Sequence, residues 1–198
     1  PNALQYVLSQ IPADFPASTL IVQHMPEGFT EMFAKRLDEC CALDVHEARS
    51  GDLLVAGRVL ICPGNRHMMV RRMPRGDMAV LSDGPPVNGH RPSADVLFHS
   101  VAQEFGLTAV GVIMTGMGDD GAEGLGAIKA AGGMTVAQSE DTCVVSGMPR
   151  AAIVKGYANK IVSLDALSSF LVSHCGGERS EREKSDKQEK NQRTPVSS

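Results

Sequence analysis

Residues 107–138 constrain the fold more than any other part of the chain, because they read as strand, glycine loop, helix and strand in unbroken succession. The apolar run "LTAVGVIM" (107 to 114) has the length of a buried strand. The loop "MTGMGDDGAEGL" (114 to 125) follows, a helical pattern runs from about 122 to 131, and "GMTVAQ" (133 to 138) reads as the next strand. Strands joined through a helix lie parallel, and a parallel sheet is buried on both faces by the helices that connect it.

The remainder of the chain supports the same architecture. Leu4, Val7, Leu8 and Ile11 recur at helical spacing until Pro12 and Pro16 break the pattern, and 18–23 reads as a strand. A helix over about 27–41 is expected to bury Phe29, Phe33, Leu37 and Cys40 or Cys41. Short extended pieces come next, and Pro74-Arg75-Gly76-Asp77 joins two of them as a hairpin loop. Ser93 can cap a helix running through Phe105, with Val96, Leu97, Ser100 and Val101 on its buried side. Pro149 suits the first turn of a short helix, and "SLDALSSFLVSH" reads as the last one. The expected fold is a doubly wound α/β domain over 1–175, its mainly parallel sheet covered by helices on both faces and interrupted by an inserted β-hairpin.

From Gly176 the composition changes. Among the last 23 residues 11 are charged and only Val196 is apolar, so the segment 176–198 is expected to be a disordered, solvated tail. Its six basic and five acidic residues nearly cancel, which leaves 13 basic against 18 acidic residues on the globular part and argues against nucleic acid as a partner. Neither the five cysteines nor the six histidines fall into a metal-ligand spacing; no metal or organic cofactor is expected, and reduced thiols in a cytoplasmic protein are. No apolar run approaches the roughly 20 residues of a membrane span, so no membrane insertion is expected.

In a sheet of this kind chemistry collects beyond the carboxyl ends of the strands. Two features lie there. The first is His24, delivered by the run Leu20-Ile21-Val22 and followed at once by a helix; the second is the glycine loop. Gly116, Gly118 and Gly121 satisfy GxGxxG, with Glu140 and Asp141 about 20 residues on, as in a dinucleotide-binding fingerprint. Charge opposes that reading. Asp119 and Asp120 stand where a pyrophosphate would sit, and at roughly 4 Å and an effective dielectric near 20 each would oppose a phosphate charge by about 4 kcal/mol. One of the two fits a helix cap; the other is left at the same sheet edge as His24, where a carboxylate can orient an imidazole acting as general base. A nucleophile is then missing. No GxSxG elbow exists, Ser18, Ser82, Ser93 and Ser146 suit turns and caps, and Cys143 lacks a basic neighbour.

Five ordered blocks, "QHMPEGFTEMFAKRL", "ICPGNRHM", "DGPPVNGHRPSADVLFHSVA", "GVIMTGMGDDGAEGL" and "AQSEDTCVVSGMPRAAI", together resemble the catalytic domain of bacterial chemotaxis protein-glutamate methylesterases, the CheB family. The resemblance covers Pro1 to about Phe170. It implies hydrolysis of glutamate methyl esters, and deamidation of glutamines, on methyl-accepting chemotaxis receptors by a Ser-His-Asp mechanism. His24 matches the family's triad histidine, Asp120 its triad aspartate, and Met117 the methionine near the catalytic centre; the amides of Met117 or Gly118 are candidate oxyanion donors. An upstream receiver domain and its histidine kinase are further implied partners.

The family's serine lies in a Gly-x-Ser-Thr-Gly-Gly turn just before a helix resembling "PNALQYVLSQ". The expectation is therefore a domain lacking its first strand and nucleophile turn, truncated just before Pro1 and inactive as it stands. Asp119 departs from the family, which usually carries Asn there. Arg66, Arg71, Arg72, Arg75 and Arg91 form either a solvated face or a surface for an acidic receptor. A receptor-binding module without catalysis is the alternative, with a dinucleotide-binding domain behind it.

Overall fold

The structure, a computed structural model, describes residues 1–177. It contains helices α1 (Asn2–Leu8), α2 (Phe29–Cys40), α3 (Ala94–Phe105), α4 (Ala122–Ala130), α5 (Gly147–Val154) and α6 (164–177). The strands are β1 (Thr19–Ile21), β2 (Asp44–Glu47), β3 (Arg58–Ile61), β4 (His67–Arg71), β5 (Met78–Ser82), β6 (Val110–Ile113), β7 (Met134–Gln138) and β8 (Lys160–Val162). The charged tail lies outside the described residues except for Gly176 and Gly177, which are helical and belong to α6.

The strands form two parallel three-stranded sheets, ordered β1-β3-β2 and β6-β7-β8, with β4 and β5 as a separate antiparallel hairpin across the 72–77 turn. This is the expected doubly wound α/β arrangement with its inserted hairpin, except that the parallel strands do not join into one sheet. β1 pairs only with β3 and β6 only with β7. Each therefore presents an unpaired edge. A cavity of about 780 Å³ runs along both edges, from Ser18 to His24 on one side and from Thr108 to Gly116 on the other. Apolar side chains close it above and below: Val7 and Leu8 of α1 with Leu167 of α6, and Leu97 and Phe98 of α3.

Strand alternation explains the two-sided core. Val59 and Ile61 of β3 turn toward α1, α2 and α6, packing in one cluster with Val7, Leu8, Phe33, Leu37 and Leu167. Leu60 and the following Cys62 turn the other way, against Leu97 of α3 and Met68, Val70 and Ala79 of the hairpin. The inward face of α2 is Thr30, Phe33, Ala34 and Leu37. Phe29 is exposed, contrary to the pattern read from the sequence, and of the two cysteines Cys41 packs against the core while Cys40 is exposed. Position 30 takes the inward place because its hydroxyl is bonded twice, donating to Glu47 and accepting from the Gly64 amide. On α3 the fully buried positions are Ala94, Asp95, Leu97 and Ala102, while Val96, Ser100 and Val101 are only partly covered.

Candidate active site

His24 stands just past the carboxyl end of β1, where the chain leaves the sheet, and the 114–121 loop leaves β6 at the same edge. The two meet. His24 Nε2 lies 2.7 Å from Asp120 Oδ2, although 96 residues separate them in sequence. Against an ionised carboxylate that nitrogen carries the proton and donates, which leaves Nδ1 as the ring nitrogen with a free lone pair. The imidazole is 27% exposed and the carboxylate fully buried.

Four donors converge on Asp120. Besides His24, Oδ2 accepts the Ala94 amide at 2.7 Å, and Oδ1 accepts the Ser93 hydroxyl at 2.7 Å and the Asp95 amide at 3.2 Å. Burial alone raises a carboxyl pKa; here the bonds from His24, Ser93, Ala94 and Asp95 overcome it and bring Asp120 down to about 2. The carboxylate thus occupies the amino end of α3, where free amides and the helix dipole favour an anion. Ser93 sits at the cap position of α3 as expected, but makes no capping bond of its own. Its hydroxyl serves Asp120 instead, and Asp120 caps the helix in its place. The sequence divides two roles between the adjacent aspartates, a helix cap and a partner for His24; Asp120 takes both, and the helix it caps is α3, not the α4 that follows it.

The amino end of α4 is held from the opposite direction. Asp95, in the first turn of α3, accepts the Gly124 amide at 2.7 Å. A Cβ at Gly124 would lie 2.6 Å from Phe98 Cβ and 3.1 Å from Asp95 Cα, so the two helices touch here through a position only glycine can fill. The Ala122 amide is bonded to the Asp119 carbonyl. These pairings oppose the dinucleotide reading further, since the Ala122 and Gly124 amides at this helix start are already taken. Gly116 has a packing reason as well, because a Cβ there would come within 2.3 Å of Met148 Sδ.

Asp119 does not face His24. Its Oδ1 accepts the Asn88 side-chain amide at 2.8 Å. Asn88 and Gly89 have φ of 49° and 74°, and Val87 and His90 exchange two backbone bonds around them, the two-residue hairpin turn that demands left-handed central residues. His90, which the sequence reading passed over, closes this turn. Its Nδ1–H donates to the Asn88 carbonyl at 2.7 Å, and its ring lies 4.2 Å from that of His24, centroid to centroid, tilted by 35°. The Asn-Gly pair ahead of it was the available signal. Arg91 secures the far side of the loop through Asn65 Oδ1 and the Gly84 carbonyl, and Arg66 pairs with Asp83. Neither is an unpaired cation waiting for a partner.

Met117 is 80% exposed, beside Gly118 with φ of 85°. Cys143 donates to the Ser139 carbonyl, and burial together with Glu140 and Asp141 pushes its thiol pKa up, the wrong direction for a nucleophile. His24, His90 and Asp120 offer ligand atoms within 4.8 Å of one another, the one such cluster among the described residues. Asp120 is already bonded by His24, Ser93, Ala94 and Asp95, and His90 Nδ1 by Asn88, while His24 Nδ1 keeps its lone pair, which is the pattern of a hydrogen-bonded base. The cavity between β1 and β6 ends at this pair, with Gln23, His24, Thr115 and Gly116 in its wall.

A family model described as CheB methylesterase matches residues 1–171. The chain is 66% identical over 179 residues to protein-glutamate methylesterase/protein-glutamine glutaminase 2 of Koribacter versatilis, an alignment covering 90% of this chain and 49% of that protein. It is 48% identical over 172 residues to the protein-glutamate methylesterase/protein-glutamine glutaminase of Salmonella typhi, covering 87% and 49%. The chain therefore spans about half the length of the curated relatives it matches. Among solved structures, the CheB methylesterase catalytic domain of Thermotoga maritima superposes with a TM-score of 0.85 at 35% identity, covering 87% of this chain and 92% of that one.

Proposed function

The chain belongs to the CheB methylesterase family, and on that premise we propose that it is the catalytic domain of an enzyme that hydrolyses glutamate methyl esters, and deamidates glutamines, on chemotaxis receptors. The observation that carries the reading is the 2.7 Å bond between His24 Nε2 and Asp120, made at the mouth of a cavity walled by strand edges. The nucleophile in this proposal is a serine in a segment preceding Pro1. An extended stretch in the cavity, parallel to β1 and β6, emerges beside His24 and turns there into α1, with Pro1 and Leu4 in the cavity wall. Filling both unpaired edges would also satisfy backbone groups that β1 and β6 now leave without strand partners.

The chemistry follows from the tautomer. His24 Nδ1 takes the seryl proton as Oγ attacks the ester carbonyl, and buried Asp120 stabilises the imidazolium without itself being protonated. The tetrahedral oxyanion is held by backbone amides, for which those of Met117 and Gly118 are candidates, each such donor being worth roughly 3 kcal/mol. Collapse expels methanol, which takes the proton back from Nδ1. Water attacks the acyl-enzyme by the same path and frees the glutamate carboxyl; with glutamine, ammonia leaves instead. No helix among the described residues is long and apolar enough to cross a membrane. A receiver domain upstream and its kinase are the remaining partners proposed.

The test is methanol release from methylated receptor by the full-length protein. Activity should fall on the order of 10⁴-fold or more in His24→Ala, and the chain 1–198 alone should show none. Unchanged turnover in His24→Ala would favour a binding module instead.

A further inference from the structure

A single hydrogen bond does not fix an imidazole. With Cβ anchored to the backbone and Nε2 bonded to Asp120, the ring of His24 can still rock about the line joining those two atoms, and Nδ1 is the atom that swings. Burial does not stop it, since the side chain is 27% exposed. What lies against its face is His90. The ring of His90 is itself held on two sides. Its backbone closes the Asn88–Gly89 turn, and its Nδ1–H is bonded to the Asn88 carbonyl. The Asn88 side chain is in turn tied to Asp119, next in sequence to the carboxylate that bonds His24. One short loop and one aspartate pair thus present two restraints to the same ring, one in its plane and one on its face.

We propose that His90 is a positioning residue for the His24 base, its imidazole packed on that of His24 so that Nδ1 points in one direction. This rests on the reading of His24 as general base. Placement within a fraction of an ångström separates a productive proton acceptor from an unproductive one, so a ring free to rock loses turnover while leaving substrate affinity alone.

The experiment compares His90→Ala and His90→Phe with the parent in the full-length protein. Two readouts are followed: methanol release from methylated receptor, and the ring 1H–13C resonances of His24. We expect His90→Ala to lower kcat on the order of tenfold, with KM within about twofold, and to broaden or split the His24 signals. His90→Phe, which restores a flat ring without the nitrogens, should recover most of kcat and a single sharp set of signals. The proposal is overturned if His90→Ala leaves both readouts unchanged, or if its effect falls on KM alone. Failure of His90→Phe to rescue would overturn it too, since His90 would then act through its polar atoms. If the parent releases no methanol, the functional reading fails, while the resonances still report whether His90 restrains the ring.

Discussion

Asp95 and Asp120 each cap the helix that carries or follows the other. Asp120, in the loop before α4, accepts two amides at the start of α3; Asp95, in the first turn of α3, accepts the Gly124 amide in the first turn of α4. The amino ends of two helices are thereby locked together by two buried carboxylates, one of which also faces His24. Site geometry and helix packing are the same set of bonds.

Acid should unfold this domain partly through Asp120. Its pKa is lowered from 3.8 to about 2, so its contribution is present above 3.8 and lost as pH falls through about 2. The size is about 2 kcal/mol. Thermal melts between pH 5 and pH 2, in roughly half-unit steps, should show this acid limb in the parent. Asp120→Asn should melt several degrees lower at neutral pH and lack that part of the limb.

Asp95 carries the opposite sign. Burial pushes its carboxyl pKa up, against the lowering by the Gly124 and Gly121 amides. Its ionisation therefore costs stability as pH rises from the ordinary carboxylate range through the raised value. Asp95→Asn, which keeps an acceptor for Gly124, should remove that fall. Asp95→Ala leaves the amide unpaired and should cost about 1–3 kcal/mol by urea titration. A smaller loss in Asp95→Ala than in Asp95→Asn would contradict the capping role.

Two glycines should respond differently to the same methyl group. Gly124→Ala meets Phe98 and the Asp95 backbone, so it should part α3 from α4, cost about 1–3 kcal/mol or more, and lower activity by displacing Asp120. Gly118→Ala meets nothing within 4 Å and bears only the strain of φ at 85°, about 1 kcal/mol. Denaturant midpoints of the two variants give the comparison directly.

Much of this was legible in the order of residues. Apolar runs before His24 and before the 114–121 loop gave the strands, and the alternation with helices gave the layers. Parallel strands in such a fold share a carboxyl edge, which places His24 with one of Asp119 and Asp120, and the family resemblance points to Asp120. Periodicity is weaker at element ends and around polar contacts. Phe29 reads as core by spacing but begins α2 in solvent, because Thr30 has bonding partners inside that no spacing reveals. Ser93 reads as a cap by local sequence, yet a carboxylate from 27 residues on takes the role. The Asn88-Gly89 pair marks a turn at His90, but not the ring contact with His24 across 66 residues of chain that gives the residue its place in the site.

Amide exchange should distinguish the strands. In the chain 1–198, slot-facing amides of β1 and β6 should exchange on the order of tenfold or more faster than those of β3 and β7, which are paired on both sides. The longer protein should protect both sets alike. Equal protection in the chain by itself would mean that the two edges are already satisfied in some other way.

A crystal structure of the longer protein would show the proposed triad outright. An extended segment should lie between β1 and β6, with a seryl hydroxyl within about 3 Å of His24 Nδ1 while Nε2 keeps Asp120. A hydroxyl bonded to Nε2 in place of Asp120, or no hydroxyl near either nitrogen with the slot filled by other side chains, would contradict it.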